Sequence, residues 1–317
     1  MQQSSLIKAV GILLFGIAAF DVMSVFVRLL GDKFPILQIS VLRNIFGMIP
    51  ALILLATGSG FVALKKLNNS FLLKIVFIRS AAVLLAQLSF YTALIKIEFA
   101  TAATLSFTSP FFIALLSIPL LGHHIGFVRF LAIIFGFAGV VAIFRPFNDD
   151  FTVWMTLPIL AGFGYGLSSV LVKRIPDEID SSAIQITQQF TTFLMGVCLL
   201  FTTGEFVPIV SLDHLMYFCL MGVCGGVGLL CLIIAYRLAD PSSLSIFEYF
   251  GIPISFIFGY LVAPNENKKN LNFWKNIRSD IQIITFGMDK SADFYPKKIK
   301  FGKNKINFYI ASRYIKE

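Results

Sequence analysis

Residues 8–30, KAVGILLFGIAAFDVMSVFVRLL, decide the fold because they are long and apolar enough to cross a lipid bilayer as one helix. At a rise of about 1.5 Å per residue, about 20 apolar residues cover a hydrocarbon core of about 30 Å. The run contains a single carboxylate, Asp21, and lacks the small-residue cleavage site of a signal peptide. We therefore expect it to be retained as a membrane helix.

Eight further apolar runs of similar length follow, joined mostly by short connections. Together they predict an all-α integral membrane protein with nine transmembrane helices, multi-pass in the bacterial inner (cell) membrane, and a polar C-terminal tail. The predicted spans are 8–30, 36–57, 72–95, 100–121, 126–144, 152–172, 183–203, 214–236 and 241–262.

The overall composition agrees with a membrane protein. The 317 residues are 57% hydrophobic and only 14% charged, whereas soluble domains are about 25% charged. The chain is therefore neither a soluble domain nor a disulfide scaffold. Its four cysteines lie inside apolar runs without CxxC spacing, which favours packing residues over metal ligands.

The net charge of +9 comes mainly from the tail. Residues 1–262 carry 14 Lys and Arg against 12 Asp and Glu, and residues 263–317 carry 12 against 5. Without a basic stripe through the body, we do not expect nucleic acid as a partner. A cytoplasmic N-terminus puts eight basic residues of the body inside and four outside, as the positive-inside rule prefers. Nine spans would then place the basic tail outside, which the rule disfavours.

The sequence contains traces of an internal repeat. DVMSVFVR (21–28) aligns with GLSSVLVK (166–173) at an offset of 145 residues, and SFTSPFF (106–112) resembles EYFGIPIS (248–255), each with a proline inside an apolar run. Five spans separate the copies. Because five is odd, the two halves are expected to be inverted in the membrane.

Four stretches carry a resemblance to a known family: DVMSVFVRLLG (21–31), ISVLRNIFG (39–47), YTALIKIEFATAATLSFTSPFF (91–112) and AYRLADPSSLSIFEYFGIPISFIFGYL (235–261). Residues 7–262 resemble the drug/metabolite transporter superfamily, EamA type. The resemblance implies ten helices in a 5+5 inverted repeat, a central cavity between the halves, and export or uptake of small metabolites by alternating access.

The domain organisation follows from this resemblance. Residues 1–146 are expected to form the first EamA-type repeat of five helices, and residues 147–262 a second repeat truncated to four. After FGYLV (258–262) the family continues with a tenth apolar helix, but here polar APNENKKNLNFWKNIRSD (263–280) follows. The basic tail, 263–317, is either foreign (a gene fusion, frameshift or assembly chimera) or a genuine extension. It includes a moderate polar and apolar alternation, KINFYIASRYI (305–315).

Ionisable residues inside the predicted spans are functional candidates, because a charge in hydrocarbon is costly and usually faces a cavity or a partner. Matched depths predict two ion pairs, Asp21 with Arg43 and Arg79 with Glu248. These charges either line a substrate or proton pathway or form static pairs that hold the helices together. Proton coupling through Asp21 or Glu248 is a further hypothesis.

Uncharged polar residues on shared helical faces complete the predicted substrate pathway, although such residues also hold helices together in lipid. The full predicted set is Asp21, Arg43, Arg79, Gln87, Tyr91, Tyr165, Ser168, Gln188, Glu248 and Tyr249. Gln185 and Gln189 share the face of Gln188, and Phe107 and Phe247 are candidates for an aromatic wall. No metal site or cofactor is expected, because no motif for one is present and the adjacent His123 and His124 lie in a predicted loop without further ligands.

The leading functional prediction is a secondary carrier, not an enzyme, that moves a small polar metabolite. One alternative is a truncated or chimeric, inactive transporter. Another is an integral membrane enzyme that acts on lipid, which is disfavoured because the carboxylates are scattered along the sequence. The absence of a phosphate-binding loop disfavours an ATP-driven pump. The oligomeric state is not predicted.

Overall fold

A computed structural model describes residues 2–58, 69–122, 131, 134–135, 138–139, 152–255, 294–301 and 306–312. The chain divides into two compact units, Met1–Ala263 and Pro264–Glu317. The first unit consists of helices and their connections in its described residues. The second contains an antiparallel hairpin of two strands.

The helices of the first unit are, in chain order, α1 (Gln2–Gly31), α2 (Ile36–Thr57), α3 (Ser70–Lys96), α4 (Phe99–Ser106), α5 (Ser109–Leu121), α6 (Thr156–Val172), α7 (Ser181–Thr203), α8 (Leu212–Leu238) and α9 (Pro241–Glu248). A 3₁₀ turn, Val153–Met155, precedes α6. Residues 251–255 are again helical. The strands are β1 (Phe294–Phe301) and β2 (Ile306–Ser312).

Seven of the nine predicted spans are confirmed as helices of membrane-crossing length and hydropathy within the described residues. The fifth predicted span, 126–144, lies largely outside those residues. The ninth is described only as far as residue 255, and the position of the expected tenth helix lies outside the described residues. The all-α prediction was incomplete for the tail, because β2 forms over the alternating stretch that begins at Lys305.

The fourth predicted span is not one continuous helix. α4 ends at Ser106, residues 107–108 form a turn, and α5 starts at Ser109 with Pro110 in its first turn. Proline lacks the backbone N–H that a continuous helix would use. The ninth span breaks in the same way, with a turn at 249–250 after α9 and Pro253 in the next helical segment.

Local sequence signals set several helix ends. The Asn69 side chain accepts a hydrogen bond from the backbone N–H of Phe71 at 2.9 Å, and Asp180 accepts one from Ser182 at 2.8 Å. These are N-cap contacts that satisfy otherwise free donors of α3 and α7. α5 and α7 end at Gly122 and Gly204, whose φ angles of 68° and 67° favour glycine.

The bundle is built from a few extensive helix pairs. α8 packs on α1 and α2, α6 packs on α3 and α5, and α7 packs on α2 and α3. Large apolar side chains such as Phe15, Phe77 and Phe201 point outward, with exposed fractions of 63%, 59% and 84%. An apolar exterior of this kind matches lipid as the surrounding solvent.

Glycines allow α2 and α8 to approach closely. A Cβ atom added to Gly226 would lie 2.9 Å from the carbonyl carbon and 3.0 Å from the Cα of Gly47, and one added to Gly222 would lie 3.0 Å from the carbonyl carbon of Phe46. Those neighbours are backbone atoms, which cannot rotate away. The Gly222–Gly226 GxxxG pair therefore sets the distance between the two helices.

We expect Gly226→Ala to reduce the free energy of unfolding by about 1–3 kcal/mol, the usual cost of forcing atoms into a packed interior. The measurement is denaturant unfolding of the purified protein in detergent. Gly11→Ala is the matched control, because a Cβ atom at Gly11 meets nothing within 4 Å. Equal stability of the two variants would contradict the close α2–α8 packing.

Candidate functional site

The described helices enclose one cavity that collects most of the buried charges. Its volume is about 150 Å³, several times the roughly 10–15 Å³ that one buried water requires. The lining residues of α1 and α3 come from the middle portions of these helices, whereas Ser106, Ser109, Val172 and Glu248 are at helix ends. The cavity therefore lies within the bundle, beside the breaks in the fourth and ninth spans.

Seven of the ten residues predicted for the pathway line this cavity, as does Phe107. The seven are Asp21, Arg43, Arg79, Gln87, Tyr165, Ser168 and Glu248. Tyr91, Gln188 and Tyr249 do not line it, nor does Phe247, another candidate for the aromatic wall. The fold thus brings together residues that are separated by up to 227 positions in the sequence.

The two predicted ion pairs are not formed within the described residues. Asp21 and Arg43 line the same cavity, but no nitrogen and oxygen of the pair lie within 4.0 Å, and the same holds for Arg79 and Glu248. Depth along the sequence predicts which groups share a level in the membrane. It does not fix the direction in which each side chain points, and each of the four charges bonds to uncharged groups.

The Arg43 guanidinium is held by neighbours in α2 and α8. Its Nη1 donates to Asn44 Oδ1 at 3.1 Å, and its Nη2 donates to the backbone carbonyl of Gly225 at 3.0 Å. A Cβ atom at Gly225 would lie 2.8 Å from Arg43 Nε. A side chain at position 225 would therefore shift the guanidinium away from α8.

An amide network extends from Arg43 to α3. Ser40 Oγ donates to Gln87 Oε1 at 2.7 Å, and Asn44 Nδ2 donates to the same oxygen at 2.9 Å. Sequence reasoning selected Gln87 and Arg43 but missed Ser40 and Asn44. The available signal was helical spacing, because residues 40, 43, 44 and 47 share one face of α2.

Arg79 is almost fully buried, with an exposed fraction of 1%. Its Nε donates to the backbone carbonyl of Ser168 on α6 at 3.0 Å. Nη1 has no hydrogen-bond partner within the described residues. Arg79 therefore joins α3 to α6 through one nitrogen and keeps a terminal nitrogen uncommitted.

The two carboxylates bond to hydroxyl groups. Ser255 Oγ donates to Asp21 Oδ1 at 2.9 Å, whereas Oδ2 of Asp21 has no partner within the described residues. The Tyr236 hydroxyl donates to Glu248 Oε1. Sequence reasoning missed Ser255 and Tyr236; Ser255 was marked only by its position two residues after Pro253 in the second proline motif.

The predicted residues outside the cavity have other surroundings. Tyr91 is buried, and its hydroxyl lies 3.8 Å from Met23 Sδ. Gln188 is also buried, and Ser80 Oγ donates to its backbone carbonyl at 3.1 Å. Its neighbour Gln185 donates to the Gly226 carbonyl at 2.8 Å. These contacts lie between packed helices.

The remaining candidates add little to the site. No group of three or more His, Cys, Asp or Glu side chains suited to a metal occurs within the described residues. His123 and His124 lie outside them. The four cysteines are free thiols.

The comparisons with known proteins show what the chain is similar to. Residues 7–145 match the model of the EamA-like transporter family. The resemblance to EamA-type transporters is confirmed. The protein is therefore a multi-pass protein of the cell membrane, as its seven membrane-length helices also indicate.

Several relatives of this chain are named as transporters. An uncharacterized transporter of Helicobacter pylori (strain J99) is 26% identical over 264 residues, which is 81% of this chain and 87% of the relative. A riboflavin transporter of Brucella anthropi is 28% identical over 188 residues, 57% of this chain and 64% of the relative. An S-adenosylmethionine uptake transporter of Rickettsia bellii is 24% identical over 162 residues, 51% of this chain and 55% of the relative.

We expect Tyr236→Phe to reduce the free energy of unfolding by about 1.5–3 kcal/mol, because the buried Glu248 carboxylate loses a hydrogen-bond donor. Tyr217→Phe is the matched control on the same helix. The Tyr217 ring packs 5.7 Å from that of Phe26, and its hydroxyl has no hydrogen bond within the described residues. If both variants unfold at the same denaturant concentration, the Tyr236–Glu248 contact does not stabilise the fold.

Proposed function

We propose that the protein is a secondary carrier that moves a small polar metabolite through the central cavity by alternating access. The observation that carries the proposal is a charged cavity deep in the bundle, with the breaks of two helices at its wall. Ser106, Phe107 and Ser109 flank the first break, and Glu248 directly precedes the second. Discontinuous helices near the membrane midplane are typical of substrate sites in secondary transporters.

The two breaks support an inverted repeat. α4 and α9 are each eight residues long, and a two-residue turn follows each of them. With a cytoplasmic N-terminus, α4 starts at the outer face and α9 at the inner face. Equal lengths then put the breaks at similar depths from opposite faces, as an axis in the membrane plane requires.

Helix packing supports the same symmetry. An inverted repeat exchanges span one with span six, two with seven, three with eight and four with nine. Under this exchange the packed pair α1–α8 corresponds to the packed pair α6–α3, and α2–α8 corresponds to α7–α3. Two hydrogen bonds also join corresponding positions. At the offset of 145 residues, Arg43 corresponds to Gln188 and Ser80 corresponds to Gly225. Arg43 Nη2 donates to the Gly225 carbonyl, and Ser80 Oγ donates to the Gln188 carbonyl.

Contacts near the two ends of the bundle are candidates for gates. Towards the proposed outer face, Gln38 Nε2 donates to the Val207 carbonyl at 2.7 Å and Lys33 Nζ lies 3.1 Å from His214 Nε2. Towards the inner face, Arg237 Nη2 donates to the Asp177 carbonyl at 2.6 Å. Water can replace each of these hydrogen bonds when it breaks. Opening a polar contact therefore costs less free energy than separating an apolar interface.

The transported solute is expected to be a small polar metabolite. Relatives named as transporters for riboflavin and for S-adenosylmethionine support this class. Arginine, carboxylate, amide and hydroxyl groups at the cavity wall supply both donors and acceptors for such a solute.

One observation favours the alternative of a membrane enzyme. Asp21 and Glu248 line the same cavity, although 227 positions separate them in the sequence. Enzymatic activity would change the chemical structure of the solute, whereas a carrier returns it intact. Transport assays that recover and identify the solute therefore distinguish the two. The same assays test whether the protein is an inactive transporter.

We expect reconstituted protein to catalyse counterflow, the entry of labelled solute into vesicles preloaded with the same unlabelled solute, for at least one polar metabolite. The first solutes to test are riboflavin, S-adenosylmethionine and a panel of amino acids and nucleosides. Recovery of unchanged solute supports a carrier. The proposal would be contradicted if every labelled solute of the panel entered these vesicles no faster than it enters vesicles that lack the protein.

We also expect the cavity to be reachable from water in one of its states. In a background with the four native cysteines replaced, Ser24→Cys should react with a small, membrane-impermeant thiol reagent, because Ser24 lines the cavity. Ser80→Cys is the control, since Ser80 is buried between α3 and α7 and lies outside the cavity. Equal reaction rates at the two positions would contradict an aqueous pathway through the cavity.

A further inference from the structure

The cavity leaves two buried ionic groups of opposite sign partly unsatisfied. Within the described residues, Asp21 Oδ2 and Arg79 Nη1 have no hydrogen-bond partner. The exposed fractions of the two residues are 6% and 1%, and both line the cavity. A buried polar atom without a partner destabilises the protein, and more so when the group is charged.

The protein does not solve this problem by pairing the two groups. No Asp21 oxygen lies within 4.0 Å of an Arg79 nitrogen in the described part of the chain. Their other atoms are held by different segments, Asp21 Oδ1 by Ser255 after the second helix break and Arg79 Nε by the Ser168 carbonyl of α6. These bonds orient a free acceptor and a free donor without joining them.

The other two charges of the cavity are more fully engaged. Arg43 uses both terminal nitrogens, for Asn44 and Gly225, and retains only Nε. Glu248 accepts the hydroxyl of Tyr236. A solute therefore gains most by supplying a donor to Asp21 and an acceptor to Arg79.

We propose that the solute is zwitterionic, with a cationic group bound by Asp21 and an anionic group bound by Arg79. Formal charges support this class, because the two arginines and two carboxylates of the cavity balance and a zwitterion preserves the balance. A solute with one charge would leave Asp21 or Arg79 uncompensated in a site of low dielectric constant. Ile17, Val83 and Ile233 provide an apolar wall for the uncharged part. This inference rests on the proposed carrier function.

The test measures binding to the purified full-length protein by thermal shift, with two zwitterions and their singly charged analogues. L-methionine is compared with its methyl ester and with N-acetyl-L-methionine. The longer 6-aminohexanoate is compared with hexylamine and hexanoate. We expect at least one zwitterion to bind about tenfold more tightly than both of its analogues, because each analogue lacks one charge-assisted hydrogen bond.

Variants test which residue binds the cationic group of the solute and which binds the anionic group. Asp21→Asn should remove the preference for the zwitterion over the analogue that lacks the cation, N-acetyl-L-methionine or hexanoate. Arg79→Gln should remove the preference over the analogue that lacks the anion, the methyl ester or hexylamine. Asp32→Asn, which alters an exposed carboxylate in the turn between α1 and α2, is the control and should retain both preferences.

The proposal is overturned if neither zwitterion binds more tightly than its analogues, a comparison that needs only the wild-type protein. It is also overturned if stable Asp21 and Arg79 variants retain the wild-type preferences. Counterflow of riboflavin without any preference for zwitterions would support the carrier function and overturn the proposal of a zwitterionic solute. Binding of zwitterions without counterflow would remove the carrier function and leave the site.

Discussion

The structure depends on the burial of four ionisable side chains inside a bundle that lipid surrounds. A charge in hydrocarbon costs several kcal/mol unless it reaches a partner or water. Asp21, Arg43, Arg79 and Glu248 are on four different helices, and all face one cavity. A rotation that turned one of these side chains towards lipid would leave its charge without a partner, so the four charges restrict how the helices can pack.

Close helix packing makes this arrangement possible. In lipid, helix association relies on packing and polar contacts, because the surrounding chains are as apolar as the helix surface. Gly47 and Gly226 bring α2 within backbone distance of α8, and there the Arg43 guanidinium reaches the Gly225 carbonyl. The small residues therefore serve the charged site as well as the fold, since they let a backbone oxygen replace a missing carboxylate partner.

The sequence predicted the helices well, because hydropathy and length suffice to identify a membrane span. Charged and polar residues inside apolar spans were the basis for ten candidates, of which seven line one cavity. The sequence did not predict the hydrogen-bond partners of these side chains. The direction of the Arg43 side chain depends on its α2 neighbour Asn44 and on Gly225 of α8, and the Ser255–Asp21 contact depends on a segment 234 positions away. Rotations of helices relative to one another leave no trace in a single sequence.

The proposed repeat has a symmetric backbone and an asymmetric set of charges. At an offset of 145, Asp21 corresponds to Gly166, Arg43 to Gln188 and Arg79 to Cys224. Three of the four cavity charges thus belong to the first half. A symmetric frame allows the inward and outward states to have similar energies, which alternating access requires. The asymmetric charges do not disturb that balance if their partners move with them. Arg43 meets this condition with Asn44 on its own helix, whereas its bond to the Gly225 carbonyl crosses the interface between the proposed halves.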